Sequence, residues 1–284
     1  MPRVRRSVWL TLSLVPFVAF ALLFMIAPAG ILLVDSLRDT RGGWTLANFA
    51  ELANPLVIEA YLMSIRISVT TAVIGAVLGL LVAYAITIAG LPAWVRTMLL
   101  TFSGVASNYA GVPLAFAFIA TLGRTGIVTV LLKSLGFNLY GTGFSLYSFI
   151  GLVVVYVYFQ FPLMILLMTP ALDGLKREWR EASMMLGATP YHYWRHIALP
   201  ILMPSILAAT VLLFGNAFGA FATAYALTGG TLTMVTNMIA QSISGDVLHN
   251  EGVAYAMATG MIGIMALTII GYTVLQRRSE RWLR

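Results

Sequence analysis

The sequence predicts an all-α membrane protein that crosses the bilayer six times, and three observations carry that reading. Hydrophobic residues fill 60% of the 284 positions and charged residues only 10%, with a mean hydropathy of +0.91. A water-soluble domain of this length has no core large enough to hide so much apolar surface, so lipid is the expected solvent. Six apolar runs are each long enough to cross a hydrocarbon layer of about 30 Å, which takes about 20 helical residues. None alternates as a barrel strand would, and a backbone in lipid must satisfy its hydrogen bonds within the segment, so the runs read as helices.

The first run, Val8 to Val34, follows Met1-Pro2-Arg3-Val4-Arg5-Arg6. It is too long for the apolar core of a signal peptide and ends without a small-residue cleavage pattern, so a retained first span is expected. The outer loop Asp35 to Tyr61 contains Gly42-Gly43-Trp44-Thr45-Leu46-Ala47-Asn48-Phe49. That string reads as a turn, an extended piece and a short helix capped by Thr45, with Trp44 at the membrane interface. Leu62 to Ile88 and Val95 to Leu122 form the second and third runs, joined by a short inner link. In the next outer loop, Gly123 to Ser145, the segment Ile127 to Leu135 is too short to span and carries Lys133, which suits a helix lying along the interface. The fourth run, Leu146 to Thr169, leads into the longest inner loop, Pro170 to Pro200, and then come Ile201 to Leu227, an outer loop from Thr228 to Gly252, and Val253 to Leu275. Residues 1–284 thus read as one transmembrane domain.

An even number of spans puts both termini on one side, and basic residues decide which side. One set of segments holds Arg3, Arg5, Arg6, Arg96, Lys176, Arg177, Arg180, Arg195, Arg277, Arg278, Arg281 and Arg284, against Arg38, Arg41, Arg66, Arg124 and Lys133 on the other. Twelve of the 17 basic residues therefore share a side with both termini, which are expected to be cytoplasmic. The net charge of +7 is thereby explained by topology. No basic stripe interleaved with exposed aromatics suggests nucleic acid as a partner.

Several chemistries are not supported. There is no cysteine for disulfides or thiolate metal sites. Asp246, His249 and Glu251 resemble a metal cluster in spacing, but no further ligand lies on the same segment to complete a tetrahedron, so a solvated loop is expected and no metal site. The sequence has no H-E-x-x-H, no G-x-S-x-G and no Walker A pattern G-x-x-x-x-G-K-[ST]. No catalytic residue is assigned, and any ATP hydrolysis must come from another chain. An ion-coupled secondary transporter is the competing transport class, but neither inverted repeats nor intramembrane carboxylates are evident.

The inner loop has its own helical grammar. Asp173 can cap a first short helix running through Glu178, Trp179, Glu181, Ala182, Ser183 and Met184 to Leu186, with Gly187 where a left-handed terminal residue is needed. Thr189 and Pro190 supply an N-cap and a first-turn proline for a second helix carrying Tyr191, His192, Tyr193, Trp194, Arg195 and His196. Pro200 is expected to break that helix before the fifth span.

Glu181-Ala182-Ser183, three residues, Gly187, nine residues, then Ile197-Ala198-Leu199-Pro200 resembles the EAA loop of binding-protein-dependent ABC importer permeases, E-A-A, x3, G, x9, I-x-L-P. The spacing agrees throughout, and Ser183 in place of the second alanine is the only departure. Weaker similarity to the polyamine-type (spermidine/putrescine-like) branch lies in Trp44 to Phe49, Ser64 to Thr71 and Ala222 to Gly230. That branch also includes iron, phosphonate, sulfate and thiosulfate importers. The resemblance implies a type I ABC importer permease fold in the bacterial cytoplasmic membrane, with the inner loop as a coupling helix. It implies as partners two ATPase subunits that bind ATP and Mg²⁺, a second and different permease subunit, and an extracytoplasmic solute-binding protein. Glu181, Ala182, Ser183, Gly187, Ile197, Leu199 and Pro200 are then the coupling residues. Ala182 and Ser183 would let the helix sink into the ATPase, Glu181 would offer a charge, and the second helix with Pro200 would pass displacement to the fifth span.

Polar residues inside spans are costly and mark either a solute path or helix-to-helix hydrogen bonds. Asn108, Tyr109, Gln160 and Asn216 are such residues, and Asn237 and Gln241 follow the fifth run where an outer gate would lie. Arg66 fits a snorkelling role at the outer end of the second span. The pairs Gly75 and Gly79, and Gly215 and Gly219, let helices approach closely.

Overall fold

The computed structural model describes residues 14–39, 42–88, 91–244 and 250–280, the last four by backbone alone. Expectations at residues 8–13, at Arg3, Arg5, Arg6 and Arg41, at Asp246 and His249, and at residues 281–284 lie outside the described residues. Besides two short 3-10 turns, Glu51–Ala53 and Leu139–Thr142, twelve helices follow in chain order among the described residues. They are α1 Leu14–Asp35, α2 Ala47–Ala50, α3 Pro55–Ile88, α4 Ala93–Asn108, α5 Gly111–Leu122, α6 Ile127–Ser134, α7 Phe149–Asp173, α8 Arg177–Met185, α9 Pro190–Phe218, α10 Ala222–Thr228, α11 Val235–Ser244 and α12 Glu251–Glu280. The only strand pairing among them is an isolated bridge between Arg38 and Trp44. Among the described residues, six stretches are long and apolar enough to cross a membrane: α1, α3, Gly111–Ser134, α7, α9 and Glu251–Gln276.

Two of the expected spans are interrupted. The run from Val95 to Leu122 is two helices, because Tyr109 and Ala110 leave helical space and Gly111 takes a φ of +75°. Pro113 then sits in the first turn of α5, where a missing N–H costs nothing. The run from Ile201 to Leu227 likewise ends at Phe218, and Ala222–Thr228 is a separate helix. Pro200 does not break a helix. The turn before it, Trp194–Ala198, winds with five-residue spacing, Leu199 N donating to Trp194 O, and the chain runs on through Pro200. A π-turn of this kind absorbs the donor that proline lacks.

The chain forms two compact units, Met1–Ile58 with Met238–Ile264, and Glu59–Asn237 with Met265–Arg284. In the first, Asn48 ties a short excursion together, its Nδ2 donating to Ser36 O at 3.0 Å and to Arg38 O at 2.9 Å. Gly252 packs on that amide so closely that a Cβ would lie 2.7 Å from Asn48 Oδ1. Trp44 is exposed and lies under the Arg38 guanidinium, and Thr45 Oγ1 accepts from Ala47 N at 3.0 Å at the start of α2.

The second unit is built around α7. Its Leu152, Val155, Tyr156 and Phe159 pack with Ile67 of α3, Leu114 and Ala115 of α5, Ala217 of α9, and Ala224 and Leu227 of α10. Close approach of α3 to α7 depends on glycine. A Cβ on Gly75 would fall 2.8 Å from Gln160 Cβ, and one on Gly79 would fall 2.4 Å from Met164 Cβ and 2.6 Å from Phe161 O. Ser64 of α3 reaches the start of α11, its buried Oγ accepting from Val235 N at 3.0 Å.

Candidate functional site

The segment following α7 holds the residues with the most specific spacing. Asp173 does not cap α8. It is the last residue of α7 and pairs with Arg96 in the first turn of α4, which fastens the start of one helix to the end of another. The residue preceding α8 is Lys176, in an extended conformation with no side-chain cap. Arg177 Nε meets Glu181 Oε1 at 2.7 Å one turn later, an exposed pair that orients Glu181 and contributes little stability.

The end of α8 is a Schellman motif. Gly187 N donates to Met184 O at 3.0 Å and Ala188 N to Ser183 O at 3.0 Å, with Gly187 at φ +80°. This closure points the last side chains away from the protein. Met185 is 89% exposed and Leu186 88%, with Met184 and Trp179 also exposed. Ala182 faces outward, whereas Ser183 is buried and its Oγ donates to Arg180 O at 2.8 Å. Of the two small residues expected to face a partner, only Ala182 is exposed, and the tip is made of Met184, Met185 and Leu186.

Thr189 Oγ1 accepts from His192 N, and Pro190 occupies the first helical position, so α9 starts as its sequence suggests. Tyr193 and Ala198 are buried, Ile197 and Pro200 half-buried, and Leu199 exposed. Trp194 meets Tyr84 of α3 edge to face at 4.9 Å, bracing the π-turn against the second span. The exposed tip is thus joined through one glycine turn to a helix that continues unbroken to Phe218.

The polar residues expected along a path do not gather in one place. Asn108 and Tyr109 are exposed at the end of α4, where Asn108 Nδ2 donates to Gly104 O at 2.8 Å and the Tyr109 ring lies 6.5 Å from that of Tyr158. Asn216 lines a groove of about 410 Å³ with Leu163 and Leu167 of α7, Val211, Leu212 and Gly215 of α9, and Met265 and Ile269 of α12. Gln160 is fully buried, its Nε2 donating to Leu213 O at 2.8 Å while its Oε1 has no partner. Asn237 is buried as well and donates to Leu232 O at 3.2 Å. Gln241 is exposed on α11 in the other unit. Among the described residues no group of three or more His, Asp or Glu could hold a metal ion.

Sequence reasoning missed the exposed tip and both helix interruptions. The exposed Met184–Leu186 tip had a signal, since three large apolar residues directly before a helix-ending glycine have nowhere local to pack. The break at Tyr109 and Ala110 also had one, the Gly-x-Pro at Gly111 to Pro113 inside an apolar run.

Among known proteins, the probable sulfate transport system permease of Chlorella vulgaris is 24% identical over 230 residues, covering 78% of this chain and 79% of its own. The sulfate transport system permease of Salmonella typhimurium is 27% identical over 237 residues, covering 81% and 79%. The thiamine transport system permease of Escherichia coli is 31% identical over 132 residues, 46% of this chain and 24% of that one. In fold, a bacterial ABC transporter that imports the acidic polysaccharide alginate superposes with a TM-score of 0.74 at 16% identity, over 97% of both chains. Residues 3–284 match the family described as the binding-protein-dependent transport system inner membrane component, and the chain belongs to that family, as a multi-pass permease of an ABC importer.

Proposed function

We propose that α8 is the element on which an ATPase subunit docks, with Met184, Met185 and Leu186 as the inserted tip and Glu181 and Ala182 beside it. The carrying observation is the near-complete exposure of Met185 and Leu186 on a helix end locked by the Gly187 turn. Two adjacent large apolar side chains outside the spans lose contact with water only if another protein covers them. Ile197, Leu199 and Pro200 then lie on the rod that carries displacement from the tip into the membrane, and the Trp194–Tyr84 contact braces it against α3. Leu186→Asp, which leaves the Schellman backbone intact, is expected to abolish co-purification with the partner ATPase while preserving expression and melting temperature. Undiminished co-purification would overturn the docking proposal.

The full importer, in this reading, contains two ATPase subunits, a second and different permease chain and an extracytoplasmic solute-binding protein, with both termini of this chain in the cytoplasm. Support for the binding protein comes from the family description and from the similar alginate transporter, solved in complex with an alginate pentasaccharide-bound periplasmic protein. Asn108, Tyr109 and Asn216 are the path residues we favour, because their side chains are exposed. Gln160 and Asn237, also expected along the path, are less favoured because they are buried and bonded to backbone, Gln160 between α7 and α9 and Asn237 to the turn before its own helix.

The cargo is a small solute. The polyamine-type resemblance supports one reading, and a second, a small oxyanion, is favoured by the absence of any acidic residue in the six expected spans and by the sulfate-permease relatives. Thermal-shift screening of the cognate binding protein separates them. Stabilisation by sulfate or thiosulfate and not by spermidine or putrescine supports the oxyanion, and the reverse pattern the polyamine.

A further inference from the structure

Two helices of the second unit are interrupted, at Tyr109–Ala110 and at Gly219–Phe221, and two side chains tie these interruptions together. Thr223, 2% exposed in the first turn of α10, accepts from Gly111 N through Oγ1 at 2.7 Å, so the chain after the second break holds the chain after the first. Tyr156, fully buried on α7, donates from its hydroxyl to Ala220 O at 2.7 Å, inside the second break. One turn further along α7, Gln160 donates to Leu213 O, so α7 grips α9 on the near side of the same break.

The breaks lie at membrane depth. Tyr156 is seven residues from the outer end of α7, about 10 Å along a helix rising 1.5 Å per residue, and α7 as a whole is long enough to cross the hydrocarbon layer. Non-helical backbone at that depth is not tolerated against lipid. It must be covered by protein or face water. Yet Asn108, Tyr109, Ala110 and Gly219 are exposed.

We propose that Tyr156 and Thr223 are positioning residues that lock the two interrupted backbones into one rigid element, whose exposed edge at Asn108–Ala110 and Gly219 faces the water-filled part of the translocation path. The proposal rests on the reading of this chain as a path-forming permease and adds to it a second pair of residues. They touch no solute, and they decide where Tyr109 and the carbonyls of the breaks stand.

The chain has no cysteine, so a single introduced cysteine is its one thiol, and labelling is read on this chain alone after it is separated from its partners. In membrane vesicles carrying the assembled importer, Ala110→Cys and Gly219→Cys are each to be labelled with a membrane-impermeant sulfonated maleimide. Leu267→Cys, exposed in the apolar middle of α12, is the comparison. Thiolates form and react in water and not in hydrocarbon, so both break sites are expected to label at least about tenfold faster than Leu267→Cys. Tyr156→Phe and Thr223→Val each remove one bond, and each is expected to change the rate at both break sites by about threefold, while Thr223→Ser keeps the wild-type rates. Labelling of neither site above the Leu267→Cys rate would overturn the proposal. So would variants that each alter only the nearer site. Either variant decides the point alone should the other fail to assemble. Labelling needs no docked ATPase, so undiminished co-purification of the Leu186→Asp variant with these rates intact would strike the docking reading and leave this one standing.

Discussion

Gly187 holds a φ of +80° at the end of α8, and the two backbone bonds that close the turn depend on it. An L-residue in that conformation costs about 1–2 kcal/mol. Gly187→Ala is therefore expected to speed hydrogen exchange at the Ala188 amide by about 5- to 30-fold, with the global melting temperature unchanged. Unaltered exchange would mean that the turn is not held by this glycine. The glycine and Thr189 were both legible in the sequence, because capping chemistry is local and the spacing to Pro190 is fixed. The inward turn of Ser183 was not. Which side of a nine-residue helix faces the rest of the chain depends on how α9 returns beneath it, and the Ser183 hydroxyl finds its partner in its own helix at Arg180.

Among the helices, the contact of α3 with α7 is the tightest that glycine permits. Gly79→Ala would place a methyl group against the Met164 side chain and the Phe161 carbonyl, and overpacking of this kind costs about 1–3 kcal/mol. It is expected to lower the melting temperature of the detergent-purified protein. Gly219→Ala meets nothing closer than 3.6 Å and is expected to stay within about 0.5 kcal/mol of wild type. Equal melting temperatures for the two variants would contradict this assignment. Small-residue spacing made both glycine pairs look alike in sequence, but only structure separates a backbone wall at Gly79 from open space at Gly219. Gly215 falls between, since the nearest atom is the mobile end of Met265. The interruptions at Tyr109–Ala110 and Gly219–Phe221 escaped notice for a related reason. Apolar composition continues straight across both, and a two-residue departure from helix leaves the hydropathy of the run unchanged. Pro200 misled in the opposite direction, because a π-turn accommodates a proline that sequence rules read as a stop.

For the molecule as a whole, apolar content and basic asymmetry are the properties a sequence reveals best. Lipid selects for the first over every span, and charge placement follows membrane topology. They indicated six spans and an inner loop between the fourth and fifth, and they lead to the expectation that the EAA-like segment is cytoplasmic. What composition leaves open is the surface a partner covers, since the same Met185 and Leu186 would read as core in another fold. The central claim is that this surface meets an ATPase on the cytoplasmic side. Met185→Cys in the otherwise cysteine-free chain, with Leu56→Cys at the start of α3 as the opposite-side control, tests it by photo-cross-linking in membranes with a maleimide that carries a benzophenone, which inserts into C–H bonds of whatever protein it touches. A covalent adduct between the ATPase and Met185→Cys, absent from Leu56→Cys, is the expected result. An adduct from Leu56→Cys, or none from Met185→Cys while the complex is assembled, would contradict it.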